Sequence, residues 1–162
     1  MKILGIDPGI ATTGYGVIQQ SGHQHQALAY GAIITKPHIP LPQRLHELHS
    51  NLCSIITKHR PQAMAVEELF FNNNAKTALI VGQARGVILL AGEQFQIPVT
   101  SYTPLQIKMA VCGYGRADKK QVQQMIKTLL NLSQIPKPDD VADALATAVC
   151  HSHSYKLKSL VK

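Results

Sequence analysis

The spacing of apolar residues changes several times along the chain, and each change marks a different kind of element. Ile3-Leu4-Gly5-Ile6 is a short apolar run that stops at Asp7-Pro8-Gly9, a strand followed by a turn. Gly14 to Ile18 follows as a hairpin partner, and His25 to Thr35 gives a third extended run with Tyr30, Ile33 and Ile34. From Pro42 the spacing lengthens. Leu45, Leu48, Leu52, Ile55 and Ile56 recur at steps of three and four, an amphipathic helix that stops ahead of Pro61. Ala63-Met64-Ala65-Val66 then reads as a short buried strand with Glu67-Glu68 at its end. A long helix is predicted over 74–95, a strand over 97–100 with Pro98 in its first residues or on an edge, and a short helix over 104–111 broken by Gly113-Tyr114-Gly115. Further helices are predicted over 119–132 and from Asp139 to about His153.

Three strands, a helix, a strand, a helix, a strand and then helices imply an α/β fold. Its mixed β-sheet would start as an antiparallel meander, continue with parallel strands and carry helices on both faces. The 162 residues fit one domain over 1–155, followed by a short basic tail at 156–162. The helix over 76–94 is apolar nearly all round and rich in Gly and Ala, so its second dry face belongs either to deep core or, the reading we favour, to a subunit interface.

Charge changes the picture. Lys and Arg number 16 against 9 Asp and Glu, a net +7, which favours a polyanion such as nucleic acid as partner. Hydrophobic residues make up 45% of the chain and charged ones only 15%, which excludes a disordered basic tail as its main character. Cys53, Cys112 and Cys150 form no zinc spacing and read as small buried hydrophobes of a reducing cytoplasm. No segment reads as a signal peptide or membrane span, so a cytoplasmic protein with no membrane partner is expected.

With so few acids, their placement is informative. Asp7 and Glu67 or Glu68 end apolar strands, where α/β sheets gather ligands, and Asp140 and Asp143 share a face at the start of the last helix. Strand alternation sends Glu67 and Glu68 to opposite faces, and spacing does not choose between them. Asp139 fits a helix N-cap and is left out of the set. Carboxylates gathered in one pocket repel one another, and a hard cation such as Mg²⁺ or Mn²⁺ relieves the conflict. Two such ions can activate a water and stabilise the leaving oxygen of a phosphodiester. Phe70-Phe71 beside Asn72-Asn73-Asn74, and the basic segment Arg116, Lys119 and Lys120, suit base stacking and phosphate contact.

Five segments in register carry a family resemblance. Ile6-Asp7-Pro8-Gly9 with Thr13-Gly14-Tyr15-Gly16, Val66-Glu67-Glu68-Leu69-Phe70, Gly82-Gln83-Ala84-Arg85-Gly86 and Asp140 to Ala146 together resemble the RuvC family of bacterial Holliday-junction resolvases. The resemblance implies a ribonuclease H-like fold and a homodimer that nicks opposed strands of a four-way DNA junction, leaving 5′-phosphates. It also implies Asp7, Glu67, Asp140 and Asp143 as catalytic acids holding two Mg²⁺, with Mn²⁺ a possible substitute, and so selects Glu67 over Glu68. Lys108 and Lys119 match basic positions near the scissile phosphate, and Phe70 matches an aromatic that enters the opened junction. The branch-migration proteins RuvA and RuvB are the implied partners. Three rivals stand beside this reading: a nuclease of the same fold acting on RNA or ordinary duplex, a non-catalytic junction-binding protein, and an actin/hexokinase-type ATPase or sugar kinase. The last is disfavoured because 162 residues do not hold its duplicated domains.

Overall fold

The computed structural model describes residues 1–68 and 75–160. Five strands form one sheet: β1 (Lys2–Asp7), β2 (Thr12–Ser21), β3 (Gln24–Ile34), β4 (Ala63–Glu67) and β5 (Val99–Tyr102). Their order is β3-β2-β1-β4-β5, with β1–β2 and β2–β3 antiparallel and β1–β4 and β4–β5 parallel. This is the mixed sheet the pattern predicted. The helices are α1 (Leu41–His59), α2 (Ala75–Gln94), α3 (Pro104–Cys112), α4 (Lys119–Leu129) and α5 (Asp139–Leu160).

The period of two along each strand divides the core into two layers. Ile3, Ile18, Ala65 and Tyr102 face α3, α4 and α5, in a layer that includes Val111, Ile126, Leu145 and Val149. Leu4, Ile6, Val17, Met64 and Val66 face α1 and α2, against Leu48, Leu52, Ile56, Ala84 and Ile88. The long helix α2 therefore packs only one stripe on the sheet. Its other face stays exposed, with Leu79 67% and Leu90 54% accessible, so that face is not deep core of this chain.

Among the boundaries that differ from the pattern, three have a clear local setting. β5 starts at Val99 and not at Ile97, because the Ile97 N–H closes the end of α2 on the Gly92 carbonyl, and Pro98 has no N–H and contributes only its carbonyl, to the Met64 N–H at 2.9 Å. α4 ends at Leu129, where Leu130 caps it and Asn131 adopts a positive φ of 50°. α5 runs on to Leu160, across the boundary at which the basic tail was expected.

Candidate active site

Asp7 and Glu67 end β1 and β4, the two adjacent parallel strands at the centre of the sheet. Alternation from Ile3 through Gly5 sends Asp7 toward α5, and Ala65 two residues earlier sends Glu67 to the same side. Glu68 lies beyond the end of β4, where its N–H bonds the Tyr102 carbonyl. Register thus separates the two glutamates that spacing alone did not.

Asp140 and Asp143 reach this corner because α5 lies on a floor of glycines. Asp7 pairs with Gly14 and Gly5 with Gly16 across the β1–β2 ladder. A Cβ at Gly14 would run into the Asp140 carbonyl, one at Gly5 into the Ala144 carbonyl, and one at Gly16 would come within 2.5 Å of the Leu145 side chain. Only glycine lets the first turns of α5 come down to the level of Asp7. The seating is tightened by Ala142, Ala144 and Ala148, all fully buried along the same helix.

Crowding and burial leave a clear electrostatic mark. Burial pushes the Asp7 carboxyl up to about 8, and the charges of Glu67, Asp143 and Asp140 add to it against the opposing pull of Lys119. Glu67 is pushed up to about 7, mainly by burial and then by Asp143, with Lys119 and Lys108 opposing. Asp143 is also raised, by burial foremost, although Lys119 is paired with it. For Lys119 burial acts downward, but the neighbouring charges of Asp143 and Asp139 outweigh it and its ammonium is held above the usual range.

A folded state that keeps protons the unfolded chain releases loses stability as pH rises. For Asp7 and Glu67 that window runs from their ordinary values, 3.8 and 4.5, up to about 8 and about 7. In EDTA, the melting temperature is therefore expected to fall from about pH 5 to about pH 8, and Asp7→Asn should flatten the fall. Equal slopes for the two proteins in thermal scans would contradict the coupling.

The basic residues divide into two groups. Glu67, Lys108, Lys119 and Asp143 line one cleft of about 220 Å³, together with apolar Ile107 and Val122. α3 and α4 present the two lysines with the aid of matched caps. Thr103 with Gln106, and Asp118 with Gln121, each form a reciprocal capping box, so Lys119 is the first residue of α4. Arg116, just before α4, and Lys120, in its first turn, are exposed but do not line this cleft. Phe70 and Phe71 lie outside the described residues. Two roomier hollows, of about 550 Å³ beside α4 and about 870 Å³ at the β2–β3 hairpin, have only Asp118 among their lining acids, so size does not mark this site.

Asp139 is not accounted for by capping. It is the first residue of α5, and its carboxylate meets Lys137 at 2.9 Å and Lys119 at 3.4 Å, while Lys119 also meets Asp143 at 3.2 Å. The sequence carried one signal for this, a second acid directly before Asp140, and the capping reading absorbed it.

The donor set is entirely carboxylate oxygen, which fits a hard divalent cation and not zinc. Among the described residues no three His, Cys, Asp or Glu side chains stand close enough to hold one ion as they are placed. The fit therefore rests on donor chemistry and on the raised carboxyls, with Lys119 against Asp143.

Comparison with known proteins adds the lineage. Residues 3–151 match the family model of crossover junction endodeoxyribonuclease RuvC. Proteins of that name from Desulforamulus reducens and Alkaliphilus metalliredigens are 59% and 57% identical, over 94% and 100% of this chain and 93% and 99% of their own. The structure of T. thermophilus RuvC in complex with Holliday junction substrate superposes with a TM-score of 0.93 at 35% identity, covering 98% of this chain and 96% of that one.

Proposed function

The chain belongs to the RuvC family of crossover junction endodeoxyribonucleases, and on that footing we infer that it resolves four-way DNA junctions with the carboxylate site at the ends of β1, β4 and the start of α5. The observation that carries the metal-dependent reading is the gathering of acids in which burial foremost, and neighbouring carboxylates after it, push Asp7 up to about 8 and Glu67 up to about 7. Side chains so placed ionise readily only beside a strong positive charge. Asp7, Glu67, Asp140 and Asp143 would hold two Mg²⁺, with Mn²⁺ as substitute. Such ions supply an activated water and charge neutralisation at the leaving oxygen.

The chain's own residues do the remaining work. Lys108 and Lys119 line the cleft and face the phosphate, where fixed positive charge favours the extra negative charge of the transition state. Arg116 and Lys120 extend that charge outward along the arms of the junction, and the proposal keeps Phe70 as the aromatic at the opened centre. Among the described residues no helix is long and apolar enough to cross a membrane. The three cysteines are unpaired, which supports a reducing, cytoplasmic setting. The partners RuvA and RuvB rest on family membership alone.

A homodimer through α2 completes the reading, since two opposed strands call for two sites. Leu79, Gln83, Gly86 and Leu90 are exposed along one face of the helix, and an added Cβ at Gly82 or Gly86 meets nothing within 4 Å. Gly86→Glu leaves the monomer's packing untouched and places a charge in this stripe. Light scattering is expected to show a shift from dimer toward monomer, and paired nicking should give way to single nicks. A Gly86→Glu protein that remains fully dimeric would remove α2 from the interface.

The function itself is tested by incubating the protein with a labelled four-way junction, a matched linear duplex and an RNA–DNA hybrid, each with Mg²⁺ or EDTA. Symmetric paired nicks in the junction alone, and only with Mg²⁺, are expected. Equal cutting of duplex or hybrid would favour the broader nuclease of the same fold, and binding without any cleavage would favour the non-catalytic reading.

A further inference from the structure

We propose that Asp139, which lies outside the catalytic set, is a positioning residue that holds Lys119 over the cleft when Asp143 is engaged elsewhere. The inference rests on the reading of the site given above. Lys119 Nζ stands between two carboxylates, 3.2 Å from Asp143 Oδ2 and 3.4 Å from Asp139 Oδ2. The second oxygen of Asp139 accepts from Lys137 Nζ at 2.9 Å. One acid of the pair belongs to the reacting centre and the other does not.

The distinction matters once a cation takes Asp143. Lys119 then loses its nearer partner, and a lysine with a flexible four-carbon stem and no second anchor is free to swing into solvent. Asp139 lies one helical turn before Asp143 on the same face of α5, so its carboxylate reaches the same ammonium. Lys137 occupies one oxygen of Asp139 and leaves the other turned to Lys119. The base of Lys119 is fixed independently, since it is the first residue of α4 behind the Asp118 cap. An anchored stem and a retained second carboxylate keep the ammonium at the cleft mouth in both states of Asp143.

The pair is well exposed, with the Lys119 and Asp139 side chains 55% and 42% accessible, so little of the fold's stability depends on it. Its effect is on geometry, and geometry at a reacting centre is read in rate. A dipole role for Asp139 at the start of α5 would instead act whether or not Lys119 is present.

The test compares wild type, Asp139→Ala, Lys119→Ala and the double variant in single-turnover cleavage of a labelled junction, with junction affinity measured in EDTA. Asp139→Ala is expected to slow cleavage about tenfold with affinity within about twofold. In the Lys119→Ala background the same change should have no effect. A parallel readout needs neither DNA nor metal: acetylation in EDTA of proteins that carry Asp143→Ala, which takes the nearer partner from Lys119 as an engaged Asp143 would, followed by peptide mass spectrometry. Lys119 should label several-fold faster when Asp139→Ala is added to that background, with Lys120 unchanged as the internal reference. If wild type fails to cleave, the functional reading falls and the labelling result still decides whether Asp139 holds Lys119. If wild type cleaves and Asp139→Ala matches it, or its loss persists without Lys119, or Lys119 labels no faster, the positioning role is overturned.

Discussion

Asp7→Asn is expected to lower junction cleavage by at least ~10³-fold while leaving junction binding measurable, because the amide keeps the shape of the side chain and removes its negative charge. Asp7 is the acid on which the other three act, since Glu67, Asp143 and Asp140 all raise its carboxyl. Losing its charge would take one proposed cation ligand from the set and relieve the repulsion that Glu67, Asp143 and Asp140 exert on it. The same substitution should therefore stabilise the protein in EDTA above about pH 8, where the wild-type carboxyl is forced to ionise. Cleavage and thermal melting move in opposite directions, a combination that a merely misfolded variant does not give. Mg²⁺-dependent cleavage at the wild-type rate would remove Asp7 from the chemistry.

The second large effect comes from a residue with no chemistry of its own. Gly14→Ala places a methyl group where the Asp140 carbonyl sits, and backbone cannot move aside as a flexible side chain can. The start of α5 must rise from the sheet, carrying Asp140 and Asp143 away from Asp7 and Glu67. Overpacking of this kind costs about 1–3 kcal/mol in stability. A displacement on the order of 1 Å at the site would cost about a hundredfold in rate. Urea unfolding and single-turnover cleavage measure the two losses separately. A Gly14→Ala protein with wild-type activity would show that α5 does not need the glycine floor to place its acids.

Much of this was legible in the sequence, and the reasons differ from element to element. The β1–β2–β3 meander was readable because short apolar runs set off by Asp7-Pro8-Gly9 leave little else for the chain to do. α1 was readable because Leu48, Leu52 and Ile56, the residues it buries, recur at helical spacing. The start of β5 was not, because Ile97 is apolar for the sake of α2's end and not for a ladder. The face of Glu67 had to wait for register, which is a property of two strands together. Asp139 was misassigned for a similar reason. A first-turn acid looks like a cap until its neighbours are known, and here Lys119 comes from a different helix. Gly5, Gly14 and Gly16 look like loose strand residues in sequence and become a seat only when α5 is laid across them.

Asp7, Glu67, Asp140 and Asp143 are proposed to form a single cation-holding site. The most direct measurement is the loss of amide signals in the ¹⁵N spectrum as Mn²⁺ is added in small amounts at about pH 8, since a paramagnetic ion broadens the signals nearest to it. Residues around Asp7, Glu67 and the Asp140–Asp143 turn are expected to fade first and together, and Asp7→Asn should weaken this effect. Broadening centred elsewhere, or the same pattern in Asp7→Asn, would contradict it.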